Sequence, residues 1–240
     1  MYTIEIASIA LRDSTAKLKA VGHNVANVET PGFKRQVLET RPFSEAMSAS
    51  AAAEYSRDRG ALVDMRPGAL RATGEPLDVA MGPRDFLVVQ RSDGEMALVR
   101  GGSLRIGTDG RLVTSTGLPL LEQAGTLSAP MTATDVRIDG SARLRVDDRV
   151  VGQLRVVRVP EGTPLRADGD GVYLSQEAEA LPSVDHPTVQ VGHLERSNVV
   201  GSQEMVHLMT AFRHAEAMVK LIQGADEMLD KAIRRFGESQ

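Results

Sequence analysis

Residues Val21–Arg35 read VGHNVANVETPGFKR. Valines at 21, 25 and 28 carry a helical rhythm that Thr30-Pro31-Gly32 stops, because a residue before proline is pushed out of the α region. Followed backwards in alternating steps of three and four, the rhythm gives Ile4, Ala7, Leu11, Ser14, Leu18, Val21, Val25 and Val28, all apolar except Ser14. That pattern predicts a helix with a narrow heptad seam rather than a broad core-facing stripe. Ile6 and Ile9 add a second apolar flank near the start. Gly32 is free to take positive φ, and Phe33-Lys34-Arg35 begins a turn away from the helix.

The other end of the chain repeats the device at greater length. From Met205 the same steps reach Leu208, Phe212, Ala215, Val219, Ile222, Asp226, Leu229, Ile233 and Phe236, with Asp226 the one polar member. Ser202 is the expected N-cap. A helix from there to Phe236 would be about 50 Å long at 1.5 Å per residue. Left open, this seam would forgo about 10–15 kcal/mol of burial, at about 1.5 kcal/mol per side chain. Such a helix needs a partner: the other helix, a neighbouring subunit, or both. Met209, Met218 and Met228 flank it with adaptable apolar surface, which serves either core filling or contacts that vary between neighbours.

Between the ends, short Val- and Leu-rich runs such as DFLVVQR, MALVR, SLRIG, ARLRV and GVYLS alternate with turn residues. Asp-Gly pairs at 93–94, 109–110, 139–140 and 170–171 predict type I′ hairpin turns. The expected fold class is therefore α+β: terminal coiled-coil-type helices around a central antiparallel all-β domain. Phe43 to Gly60 is Ala/Ser-rich and reads as mobile or weakly helical. Glu179 to Gly192, with two prolines, reads as a return linker.

The composition narrows the class of function. Net charge is −4 with scattered cations, which gives no nucleic-acid footprint. Aromatic residues are 3 % and Cys is absent, so disulfides, Cys-ligated zinc and thiol nucleophiles are excluded. No apolar run reaches the roughly 18 residues needed to span a bilayer. MYTIEIASIALRD lacks a cationic leading stretch and contains Glu5, so no secretory signal is expected there.

Chemistry-bearing patterns all fall short. His207 and His214 are seven apart, not four, and no carboxylate completes a metal site. RADGDG begins like a calcium loop but lacks its fifth-position ligand and closing Glu. Ser103 lacks a nucleophile-elbow context. Asp147-Asp148, if extended, point to opposite faces. No catalytic residue, cofactor site or metal site is expected, and no nucleic-acid or small-molecule partner.

Three motifs then stand out. Ala26, Asn27, Thr30, Gly32, Phe33 and Lys34 match Ala-Asn-x-x-Thr-x-Gly-Phe-Lys. Gly68, Leu70, Thr73, Gly74, Leu77 and Asp78 match Gly-x-Leu-x-x-Thr-Gly-x-x-Leu-Asp. Gly192, Leu194, Glu195, Ser197, Asn198 and Val199, followed by Glu204-Met205, match Gly-x-Leu-Glu-x-Ser-Asn-Val with a trailing Glu-Met. Together with the helix–β–helix order, these resemble the flagellar axial proteins of the rod and hook. Length favours the shorter, proximal rod members. The family's Gly-x-Gly-Phe-Phe is replaced by GPRDF, with Asp85 in the second glycine's place, and its Tyr-Thr-Arg-x-Gly-x-Phe survives only as LVRGGSLRI.

The resemblance implies a structural subunit, exported by the flagellar type III apparatus without a cleaved signal peptide. Its partners would be copies of itself and other rod proteins in the periplasm-spanning rod. Its terminal helices would be largely disordered before assembly and would then form the inner tube. On that basis residues 1–35 hold the first helix, 36–76 a partly flexible connector, 77–178 the β domain, 179–201 the return linker and 202–240 the last helix. The polymerisation residues would be Ile4, Leu11, Leu18, Val21, Asn24, Val25, Asn27, Val28, Met205, Leu208, Phe212, Val219, Ile222, Leu229, Ile233 and Phe236. Asn24 and Asn27 would hydrogen-bond between close-packed helices, where little water reaches. A distal rod protein is the alternative within the family, and a secreted β-domain binding module on a helical stalk is the alternative from another class.

Overall fold

A computed structural model of the chain describes residues 2–38, 61–122, 125–130, 133, 135–175 and 178–237, with backbone alone at 2–6, 229, 232, 233 and 235–237. The Phe43 to Gly60 stretch lies outside the described residues. The chain divides into two compact units, Met1–Ala26 with Val200–Gln240, and Asn27–Val199.

The first unit is a helix pair, α1 (Tyr2–Ala26) and α2 (Gly201–Gly237). Asn24, near the end of α1, meets Glu204, near the start of α2, so the two run antiparallel. At 1.5 Å per residue α1 is about 37 Å long and α2 about 55 Å, so α2 outruns its partner beyond roughly residue 226.

Both helix boundaries differ from the sequence expectation. The first α2 carbonyl acceptor is Val200, bonded by the Gln203 and Glu204 N–H groups at 3.0 and 3.1 Å. Ser202 therefore lies inside the first turn and caps nothing, while Glu204 places its negative charge at the positive end of the helix dipole. The α1 helix stops at Ala26, and Asn27 and Val28 belong to turns in which the Asn27 carbonyl accepts from Thr30 N–H.

In the second unit every strand pairing is antiparallel. A five-stranded sheet has the order β14 (Val156–Arg158), β5 (Asp85–Gln90), β6 (Met96–Val99), β16 (Val172–Leu174) and β15 (Arg166–Gly169). A four-stranded sheet runs β17 (Val189–Val191), β4 (Asp78–Met81), β7 (Gly101–Ile106) and β8 (Leu112–Thr114).

Side chains alternate across a strand, and the five-stranded sheet uses both of its faces. Leu87, Val89, Ala97, Val99, Val156 and Val172 point into one core, shared with Val79, Met81, Leu104 and Leu112 of the other sheet. Phe86, Val88, Leu98, Val157 and Tyr173 point into a second core closed by Leu165 and Leu181. A meander of β11 (Val136–Ile138), β12 (Arg143–Val146) and β13 (Arg149–Gln153) adds Ile138, Leu144 and Val146 to the first core.

The stretches expected to be connector and linker carry strands as well. The pair β1 (Gln36–Val37) with β2 (Leu62–Val63), and the pair β3 (Leu70–Ala72) with β18 (His193–Glu195), join residues far apart in sequence. Such two- and three-residue strands exist through long-range pairing and leave no local period.

Turn chemistry is less uniform than the Asp-Gly pairs suggest. Asp170-Gly171 has both residues left-handed, at φ 47° and 74°, as a type I′ turn requires. At 139–140 neither residue is left-handed; Ala142 takes that conformation instead, at φ 60°. Asp147-Asp148 is not extended: at φ 46° and 66° it forms the β12–β13 turn, and Asp148 pairs with Arg137. In GPRDF the left-handed residue is Arg84, at φ 60°, so Arg84 rather than Asp85 holds the glycine-like backbone position. Arg84 Nε bonds the Val159 carbonyl at 2.8 Å, and Asp85 takes both prongs of Arg158 at 2.7 and 2.9 Å.

Candidate functional site

The motif residues of the second unit converge on one buried carboxylate. The Glu195 Oε1 atom accepts from Lys34 Nζ at 2.5 Å and from the Gly68 N–H at 2.9 Å. Its Oε2 accepts from Arg100 Nε and Nη2 at 3.1 and 2.8 Å. Lys34 is fully buried, and its ammonium also bonds the Arg66 carbonyl at 2.9 Å. Arg100 spends its remaining donors on the Gly82, Asp85 and Met81 carbonyls at 2.7, 2.6 and 3.3 Å, and stacks over the Phe86 ring.

Backbone bonds complete the clasp. Gly32 N–H donates to the Glu195 carbonyl at 2.7 Å, with Gly32 at φ 71°. The Tyr173 hydroxyl accepts from Lys34 N–H at 2.6 Å and donates to the Gly32 carbonyl at 3.1 Å. Asn198 accepts from Arg35 N–H at 2.7 Å and donates to the Asp64 and Arg66 carbonyls, both at 2.9 Å. Gly68 lies so near Arg196 that a Cβ would stand 1.8 Å from its carbonyl oxygen. The segments 32–35 and 195–198 are thus riveted side by side.

Burial alone would raise the Glu195 pKa, but the Arg100 charge and the Lys34 hydrogen bond outweigh it and hold the carboxyl below its ordinary value. Burial holds the Lys34 ammonium below the usual lysine value, against the pull of Glu195. Burial raises the Tyr173 phenol, which stays protonated and can donate to Gly32. Every polar group in this cluster is committed to holding chain. None is poised to act on a substrate, and among the described residues no group of three or more His, Cys, Asp or Glu could hold a metal ion.

In the helix pair, the α2 positions turned from solvent among the described side chains are Gly201, Glu204, Leu208, Ala211, Ala215, Met218, Ile222, Gly224 and Ala225. This is a heptad seam that shares Leu208, Ala215 and Ile222 with the expected one but is offset by one residue between them. The expected members Met205, Phe212 and Val219 lie outside, at 46 %, 56 % and 39 % exposure, and Met209 at 64 % joins them. Asp226 is exposed too. On α1 the buried positions are Ala7, Ser14, Ala20 and Asn24, with Leu11, Leu18, Val21 and Val25 half-buried at their flanks. The side chains of Ile4, Leu229, Ile233 and Phe236 lie outside the described residues.

Asn24 is fully buried, and its Nδ2 donates to Glu204 Oε2 at 3.0 Å, a bond between the two helices of one chain. Asn27 instead accepts from the Thr30 hydroxyl within its turn at 3.1 Å, and Val28 lies off the helix.

The remaining motif residues support the sheets. Thr73 and Gly74 N–H groups bond the Gly192 carbonyl, and Asp78 accepts from Ser103 at 2.5 Å. Leu77 packs on the first core, Leu194 and Val199 are buried, and Ser197 caps the Val199 N–H. Sequence reasoning missed Arg100, Tyr173 and the α1-facing role of Glu204. An arginine directly following the apolar run Ala97-Leu98-Val99 was the signal available for Arg100.

Two family models match the chain: "Flagellar basal body rod FlgEFG protein C-terminal" over residues 190–235, and "Flagellar hook protein FlgE/F/G D1 domain" over 81–144. The flagellar basal-body rod protein FlgF of Salmonella typhimurium is 32 % identical over 220 residues, covering 85 % of this chain and 86 % of that protein. FlgF of Escherichia coli is 32 % identical, covering 87 % and 88 %. The flagellar basal-body rod protein FlgG of Buchnera aphidicola subsp. Acyrthosiphon pisum is 27 % identical, covering 94 % and 96 %.

Proposed function

From its membership of the flagellar basal-body rod protein family, to which this chain belongs, we propose that the protein is a FlgF-like subunit of the proximal rod. As a rod protein it is a structural component of the basal body and not an enzyme. The finer assignment draws support from the two FlgF relatives at 32 % identity, while a further FlgF relative at 28 % overlaps the FlgG relatives at 27 % and 29 %.

In this reading α1 and α2 polymerise as the coiled-coil-type inner tube, with copies of the chain and other rod proteins as neighbours. Residues 1–35 and 202–240 then supply the tube and 77–178 the outer β domain, joined through 36–76 and 179–201. The subunit reaches the periplasm-spanning rod through the flagellar type III export apparatus, without signal cleavage. The contact residues are those of the two seams, from Leu11, Leu18, Val21 and Val25 to Met205, Leu208, Phe212, Val219 and Ile222.

One observation carries the proposal: with α1 already seated on α2, Met205, Met209, Phe212 and Val219 still form an exposed stripe. Residues three, four and seven apart share a helix face, so these four side chains form one surface. At about 1.5 kcal/mol per fully exposed side chain, and with these four about half exposed, this leaves about 3 kcal/mol of burial available to a neighbour. The Met209→Asp/Phe212→Asp variant tests it. Rods should fail to assemble, and motility should be lost, while the 27–199 unit keeps its β-sheet circular dichroism. Intact rods with both aspartates would refute the proposal.

A further inference from the structure

The two seams on α2 compete for α1, and the one with the larger side chains loses. One runs through Glu204, Ala211, Met218 and Ala225; the other through Met205, Phe212, Val219 and Asp226, the last where α1 runs out; both share Leu208, Ala215 and Ile222. Apolar burial alone favours the second, because Met205, Phe212 and Val219 bury more apolar surface than Ala211, Met218 and Ala225. Yet Ala211 is 6 % exposed and Phe212 56 %.

The feature that separates the seams is polar. Glu204 is 1 % exposed and Asn24 0 %, and they are bonded to each other at 3.0 Å. A buried polar pair across a helix interface disfavours every register that would strand either group in apolar surroundings. Turning α2 by one residue to seat Phe212 against α1 would break this bond.

We infer that Asn24 and Glu204 act as a face selector: they fix which side of α2 meets α1 and so keep the Met205–Phe212–Val219 side outward for a neighbouring subunit. Both are positioning residues, acting through the rotation of α2. The use of the outward stripe rests on the rod reading; the selection of the face does not.

The chain has no cysteine, so single thiols report cleanly. In the full-length chain, Ala211→Cys should react with a maleimide about tenfold more slowly than Phe212→Cys. In an Asn24→Leu/Glu204→Leu background the order should invert, with position 212 protected and 211 reactive. Glu204→Gln, which keeps an acceptor for Asn24, should preserve the original order.

An unchanged order in the double-leucine background overturns the inference. Equal, fast reaction at both positions also overturns it, because the pair would then hold the helices together rather than choose between faces. Equal reaction without the leucines would do the same. None of these readings depends on rod assembly, so failure here is distinct from failure of the assembly test.

Discussion

The two units of this chain treat charge and apolar surface in opposite ways. In the 27–199 unit Lys34, Asp78, Asp85, Arg100 and Glu195 are buried, each held by an ionic or hydrogen-bonding partner, while two apolar cores fill both faces of the central sheet. In the helix pair the α2 seam that faces α1 carries Glu204, Ala211 and Ala215 among Leu208, Met218 and Ile222, while Met205, Met209, Phe212, Leu221 and Met228 stay outside. The β unit satisfies its groups internally. The helical unit keeps its strongest apolar surface for something else.

If that contrast is right, the largest loss of stability should come from the clasp. Glu195→Gln leaves Lys34 and Arg100 buried without a countercharge, and should destabilise the 27–199 unit by about 3–5 kcal/mol in urea unfolding. Gly68→Ala forces a methyl against the Arg196 carbonyl and should cost about 1–3 kcal/mol by the same measurement. Stability indistinguishable from the parent in either case would mean that the clasp is dispensable.

The same cluster sets an acid limit. Glu195 is held low because Arg100 and Lys34 outweigh its burial, Asp64 is held low first by its Arg66 hydrogen bond, and Asp139 by hydrogen bonds from Arg143 and Ser141 that overcome burial. For such groups the unfolded chain takes up protons first. Their stabilisation is thus present above about pH 4.5 and drains away as pH falls through the depressed folded values. Thermal melts at descending pH should show the midpoint falling below about pH 4.5, and Glu195→Gln should flatten that slope.

The smallest effect should come from the outer helix stripe. Phe212→Ser in the unassembled chain should change stability by no more than about 0.5 kcal/mol, as for an exposed site with little to lose. A cost of several kcal/mol would mean that Phe212 is already covered, and the contrast between the units would dissolve.

Much of this architecture was legible in the sequence, for reasons that also mark where legibility ended. A 3.5-residue apolar rhythm announces a long helix whatever surrounds it, and the short continuous apolar runs Phe86–Val89 and Ala97–Val99, bounded by turn residues, announce strands. The face that α2 turns to its partner was read one residue off. Counting apolar positions passes over a seam entered at a glutamate, and only the Asn24 contact shows Glu204 to be inside. The motif letters Lys34, Glu195 and Asn198 were visible, but their meeting was not, since it depends on pairing across more than 130 residues. Arg84 shows the limit of letter matching: it takes a left-handed backbone, at φ 60°, without being a glycine.

The Tyr173 hydroxyl, bridging Gly32 and Lys34, carries a consequence for the order of synthesis. The Lys34 segment leaves the ribosome early, yet its anchors Arg100, Tyr173, Glu195 and Asn198 are translated long afterwards. A nascent or truncated chain ending before Glu195 has no counterion waiting for that ammonium, so the clasp closes only after residues 195–198 have been made.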